Sequence, residues 1–192
     1  MYTEKQQKIF GAVLDLAKRG ENLYTVKVQD IATAAGVGKG TLYEYFDSKE
    51  EILVHTMLWC LEKELTELRA SITPGGSFEE DLEALQRCVA ERIRLQGGAY
   101  WLIMSSFSAN DLPELAERYK TEMEQRDAEG RAIKAELIAK GRAEGRIAAS
   151  CSDDYCNYVI DTALKSVAEP LGGCSGSQSG VYSLTMVRKA LA

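Results

Sequence analysis

Apolar residues recur along this chain every three to four positions, the period of a helix with one buried face, and no stretch alternates as a strand would. Ile9, Phe10, Val13, Leu14 and Ala17 form such a stripe over about 3–18, and Gly20 follows as a stop. Two short helices follow between Val28 and Tyr45. Asp47 or Ser48 caps a fourth helix running to about Ser71, and Glu51, three residues after Ser48, completes a capping box. That helix stops before Pro74-Gly75-Gly76 and connects the first 47 residues to everything distal. Ser77 and Glu80 open a fifth helix in the same way, with Phe78, Leu82, Leu85, Val89 and Ile93 on one face, and Gly97-Gly98 breaks it. The stretch 99–107 is short, apolar and helical by context, and Asn110-Asp111 interrupts it. A long polar helix is predicted over 113–144 with Leu115, Tyr119, Met123, Ile133 and Leu137 inward, and glycines at 141 and 145 suit its terminus. Ser152 with Asp153 and Asp154 caps a helix to about Ala168, 172–180 reads as a loop, and a last helix covers about 181–190. The sum is an all-α chain of about nine helices, divided into a three-helix head over 1–47 and a larger helical body over 48–192.

The stretch from Val28 to Leu53 says most about function. Ala32, Gly36 and Leu42 stand at the spacing A-x3-G-x5-L. Two helices that cross closely need a small residue at the crossing, glycine where the turn demands positive φ, and an apolar residue that pins the second helix to the body. Ile31, Ala35 and Val37 supply the remaining apolar contacts. This is a helix-turn-helix, whose second helix runs from about Gly38 to Tyr45. Gly38, Lys39 and Gly40 stand at its N-terminus, where free amides and a cation suit phosphate. Thr41 offers a hydroxyl and a methyl, which suit a phosphate or a thymine methyl. Leu42 and Phe46 share the inner face. Tyr43 and Tyr45 are expected to project outward, although Tyr43 packing on the first helix is an open alternative. Glu44 also lies on the outward face, where a carboxylate either accepts from cytosine N4 or points to solvent.

The segment GTLYEYFDSKEEIL resembles the signature of the tetracycline-repressor (TetR) family of bacterial regulators, and the resemblance covers about residues 5–55. It implies that the second helix lies in the DNA major groove, that Tyr43 and Tyr45 contact phosphates and bases, and that Lys49 grips the backbone at the start of the fourth helix. Lys27, just before the second helix, is a candidate for the same task. The family often has a hydroxyl residue where Lys27 stands, so that helix lacks its usual cap unless Thr25 substitutes one turn earlier. The runner-up architecture is an unrelated helical bundle that contains a helix-turn-helix.

The net charge of −6 is unusual for a DNA binder until it is divided. Residues 1–50 hold seven Lys/Arg and seven Asp/Glu; the remainder holds 16 and 22, and so carries the whole deficit. Affinity for DNA depends on cations near phosphates rather than on the total. No signal peptide and no apolar run of membrane-spanning length is present, so the expected place is the cytoplasm. Enzyme readings need a constellation and none is visible: no G-x-S-x-G, P-loop or dinucleotide-binding pattern occurs, and no cofactor or metal is implied. His55, the only histidine, is expected to make a core or interface hydrogen bond. Cys60, Cys88, Cys151, Cys156 and Cys174 are odd in number with no C-x2-C pair, which argues against a disulfide or zinc framework.

The body carries Trp59, Tyr100, Trp101, Met104, Phe107, Tyr119, Met123, Tyr155 and Tyr158. Aromatic and methionine side chains with a few polar tips are core residues, or line a cavity for a small-molecule effector; the resemblance places that cavity among the fourth to eighth helices. Tyr155, Val159, Thr162, Ala163 and Val167 on the eighth helix, with Val181, Leu184, Val187 and Leu191 on the last, form stripes suited to a four-helix dimer interface, or to packing within one subunit. A homodimer would read a near-palindromic double-stranded operator. Three functions follow: a ligand-released DNA-binding regulator; a DNA-binding regulator that senses oxidation through Cys151 or Cys156; and a helical small-molecule-binding protein without DNA function.

Overall fold

The computed structural model describes residues 2–96, 103, 114, 117–168 and 176–192. Among these the chain forms eight helices and no strand: α1 Glu4–Lys18, α2 Val28–Ala35, α3 Lys39–Tyr43, α4 Lys49–Ser71, α5 Phe78–Gln96, α6 Lys120–Ala143, α7 Asp153–Ala168 and α8 Gly176–Leu191. No helix among the described residues is long and apolar enough to cross a membrane.

Local chemistry sets most helix ends. Thr3 and Gln6 cap α1 reciprocally. Ser48 Oγ accepts the Glu51 amide at 3.1 Å, Ser77 and Glu80 cap α5 reciprocally, and Ser152 Oγ accepts the Tyr155 amide at 3.2 Å. These are the caps read from the sequence. Two expectations are corrected. The loop reading over 172–180 ends early, because α8 already begins at Gly176. Glycine and serine cost a helix only about 1 kcal/mol per residue or less, which the packing of the later turns overrides. Gly141 is not a terminus glycine. It lies within α6, and a Cβ there would stand 2.8 Å from Phe78 Cδ2 and Ile147 Cδ1, so its role is to let a helix approach closely. Gly145, with φ 68°, makes the actual stop.

The chain divides into two compact units. The first takes α1–α3, α4 as far as Lys63, and the stretch ending at Arg126 in α6. Its core joins Ile9, Phe10 and Val13 of α1 to Ile31 and Ala32 of α2, Leu42, Phe46, and Ile52, Leu53 and Leu58 of α4. Phe10 is the hub, with its ring 4.8 Å from Tyr2, 5.8 Å from Phe46 and 5.6 Å from Trp59. The second takes the rest of α4, α5 to Leu95, α6 from Asp127, α7 and α8. Phe78, Leu82, Leu85, Ile133, Leu137, Cys156, Ile160, Ala163, Val187 and Leu191 form its core.

Asp81, Gln86 and Ser183, buried in the second unit, are paired, whereas the buried Asn157 Oδ1 on α7 has no partner among the described residues. The Asp81 carboxylate accepts the Thr73 amide at 3.0 Å and the Lys140 ammonium. Gln86 Nε2 donates to Ser183 Oγ at 2.7 Å, and that hydroxyl donates onward to the Ala163 carbonyl at 2.8 Å, tying α8 to α5 and α7.

The stripes offered for a dimer interface separate accordingly. Val159, Ala163, Val187 and Leu191 are buried within the second unit, which corrects their assignment to a partner-facing surface: α7 and α8 are spent on each other and on the core. Leu184 is half-buried against the same core. The side chain of Val167 lies outside the described residues. Tyr155, Thr162 and Val181 face away from the core: Tyr155 and Val181 are exposed and Thr162 half-buried, and Tyr158, Tyr182 and Met186 are exposed with them.

Candidate nucleic-acid interface

The turn between α2 and α3 follows the three requirements in its sequence. Ala32 is fully buried where the helices cross. Gly36 adopts φ 66°, ψ 32°, its amide donates to the Thr33 carbonyl at 3.1 Å, and the Val37 amide donates to Ala32 at 3.0 Å. This pair of hydrogen bonds closes the last turn of α2 and requires a left-handed residue, where glycine has no Cβ to clash. Leu42 is fully buried and Phe46 nearly so, fixing α3 to the first unit.

Because those two side chains point inward, the opposite face of α3 is presented. Gly38, Lys39, Gly40, Tyr43 and Glu44 are exposed, and Thr41 is half-buried. Tyr43 is 49% exposed and is not among the side chains packed on the first unit's core. The Lys39 ammonium stands 5.7 Å from its ring centroid, within cation–π range. The helix is shorter than the sequence reading: it ends at Tyr43, and both Tyr45 and Phe46 amides donate to the Leu42 carbonyl, at 3.1 and 2.9 Å. Position 45 therefore leaves the helical period. Tyr45 turns half inward, its ring 6.3 Å from Phe46, instead of projecting beside Tyr43.

Lys27 is exposed and forms the N-cap of α2, but its side chain makes no cap bond. The Thr25 hydroxyl does not substitute, since it donates to the Asn22 carbonyl. The acidic half of the box acts alone: Asp30 Oδ2 accepts the Lys27 amide at 3.0 Å. Asp30, three residues past the cap, was the available signal. Lys49 Nζ donates to the Tyr24 carbonyl at 2.6 Å, a partner the sequence reading missed.

The start of α4 holds a second constellation. Glu51 Oε2 accepts the Asp47 amide at 2.5 Å, while Oε1 accepts the Tyr119 hydroxyl at 3.0 Å and lies 3.9 Å from His55 Nε2. Burial, and then the bond to Glu51, push the Tyr119 phenol up to about 12. His55 Nδ1 shares a 2.9 Å hydrogen bond with the Tyr2 hydroxyl, and burial lowers its pKa, so it is a neutral, hydrogen-bonded group. Of the residues offered for an effector cavity, Trp59, Tyr119 and Met123 gather on the first unit's core. Tyr155 and Tyr158 are exposed on α7. Tyr100, Trp101, Met104 and Phe107 lie outside the described residues.

Comparison with known proteins identifies what this arrangement resembles. Residues 21–56 match the bacterial regulatory proteins of the tetR family. The HTH-type transcriptional regulator SAR0097 of Staphylococcus aureus is 50% identical over 44 residues, 23% of each chain, so that likeness spans less than a quarter of that protein. The HTH-type transcriptional repressor KstR2 of Mycolicibacterium smegmatis is 29% identical over 182 residues, covering 89% of this chain and 82% of that one. Among solved structures, the fatty acid degradation regulator FadR from Bacillus halodurans superposes with a TM-score of 0.74 at 15% identity, over 98% of this chain and 96% of that one.

Proposed function

We propose that this chain is a transcriptional regulator of the tetR family and acts as a homodimeric repressor released from its operator by a small-molecule effector, a reading supported by the match over residues 21–56 and by the likeness to a repressor over most of the chain. The observation that carries DNA recognition is the presented face of α3: Lys39, Tyr43 and Glu44 exposed above a buried Leu42 and Phe46. Two heads related by a two-fold axis read a near-palindromic operator, with half-sites about 34–36 Å apart per helical turn. Glu44 and Thr41 are offered to base edges; Lys27, Lys39, Lys49 and the amides of Gly38 and Gly40 to phosphates. Tyr45 contributes its hydroxyl edge, since its ring is half-buried. The test is a mobility-shift titration on an operator selected from genomic fragments. Tyr43→Ala should lose about 1–3 kcal/mol on that operator, as for a good base-reading contact. Wild-type affinity in that variant would sink the reading.

Effector release is assigned to the junction at Glu51. One carboxylate oxygen holds the Asp47 amide at the exit of the helix-turn-helix, and the other is held by Tyr119. A ligand that displaces Tyr119, or that seats against Trp59 or Trp101, frees Glu51 and lets α4 shift, changing the spacing of the two heads. Linkage is reciprocal, so operator DNA weakens effector binding by the same factor, typically about 5–150-fold. FadR is named for fatty acid degradation, which makes fatty acids the first compounds to screen by quenching of Trp59 and Trp101. A quencher whose affinity is unchanged by saturating operator would contradict this mechanism. The oxidation-sensing alternative loses support at Cys156, which is fully buried and whose thiol burial pushes up, away from the reactive thiolate; Cys151 is half-buried.

A further inference from the structure

We propose that Tyr24, together with Lys49, is a second phosphate contact of the head, clamping the DNA backbone at the turn between α1 and α2. The proposal rests on the DNA-binding reading above. Among the described residues of the first unit, the exposed large hydrophobic side chains are Tyr24, at 59%, and Tyr43. Tyr24 is not loose. Asn22 Oδ1 accepts its amide at 3.0 Å, and the Asn22 carbonyl accepts the Thr25 and Val26 amides at 2.9 and 3.0 Å. Leu23 and Val26 are buried on either side. The turn is thus fixed by its neighbours, and Tyr24 is its one large apolar side chain turned out to water.

The second observation is the lysine. Lys49 Nζ donates to the Tyr24 carbonyl and stands 5.7 Å from the Tyr24 ring centroid. Lys39 stands at the same distance from Tyr43. The head therefore presents two tyrosine–ammonium pairs, one on α3 and one where the α1–α2 turn meets the start of α4. An ammonium has three donors, and the carbonyl takes one. The remaining N–H groups and the Tyr24 phenol place a cation and a neutral hydroxyl donor together, which suits a phosphate, with its several acceptor oxygens and negative charge. Nothing in the pair has the two-point geometry that reads a base edge. Lys49 is then a positioning residue for Tyr24 as well as a contact.

The test measures binding of full-length wild type, Tyr24→Phe, Tyr24→Ala, Lys49→Met and Tyr43→Ala to the selected operator and to an unrelated duplex of equal length, across a salt series. Tyr24→Phe keeps the ring over Lys49 and should melt as wild type does. It should weaken both duplexes by the same factor, roughly tenfold, as for one hydrogen bond to a charged group, with the salt slope unchanged. Lys49→Met should lower the salt slope by about 0.9. If Tyr24→Phe and Tyr24→Ala bind both duplexes as wild type does while Tyr43→Ala loses the operator, the clamp is wrong and the DNA-binding reading stands. Loss on the operator alone would make Tyr24 a base reader and overturn the phosphate assignment. If wild type retains no duplex, both fall together.

Discussion

Replacing Lys140 with methionine should destabilise the protein by about 3–5 kcal/mol, the cost of removing one partner from a buried ion pair. Asp81 is 1% exposed and has two partners, the Lys140 ammonium and the Thr73 amide. Without the lysine, its carboxylate stays out of water with one backbone donor. For a chain of this length the thermal midpoint should fall by roughly 6–20 °C. Circular dichroism on thermal and denaturant unfolding measures it. The double variant Lys140→Met with Asp81→Asn should recover most of the loss, because the amide oxygen still accepts from Thr73 and no charge remains buried. A single variant as stable as wild type would mean that water replaces the ammonium at no cost, and that the pair does not hold the α4–α5 turn to α6.

That pair marks the limit of what the sequence carries. Features fixed by neighbours a few residues away were legible. Ala32, Gly36 and Leu42 each meet the physical requirement read from their spacing, and Ser48, Ser77 and Ser152 cap the helices they precede. Features fixed by distant partners were not. Gly141 and Gly145 are four residues apart and look alike in sequence; one admits Phe78 and Ile147, and the other turns the chain through positive φ. The helical period points Tyr45 outward, but α3 ends at Tyr43, two residues before it. The bond from the Tyr119 hydroxyl to Glu51, sixty-eight residues away, has no local sequence signal. Asp30 and Tyr24 were missed for opposite reasons. Asp30 stands at the right distance from Lys27 to complete half a capping box, a purely local signal. Tyr24 is engaged through its backbone carbonyl by a lysine twenty-five residues on, which no periodicity reports.

The dimer prediction turns on the same distinction, because an apolar stripe alone does not say which of two surfaces it meets. Introducing Glu at both Tyr158 and Tyr182 should give a monomer by light scattering that remains folded by circular dichroism, its thermal midpoint lowered only by the lost stabilisation from association. Both side chains are exposed, at 71% and 62%, so charge there costs the isolated protomer little. Val187→Glu should unfold the protein instead, since that position is fully buried against α7 and the second unit's core. On DNA, a linked second head converts the second half-site into an intramolecular event, with an avidity gain of about 10²–10⁴. The Tyr158→Glu/Tyr182→Glu monomer should therefore lose at least about a hundredfold on the full operator and nothing on an isolated half-site. Persistence of the dimer in that variant would remove the outer faces of α7 and α8 from the interface. A monomer that still held the full operator as tightly as wild type would mean that the two heads read their half-sites independently. Effector control by changing the spacing between heads would then have nothing to act upon.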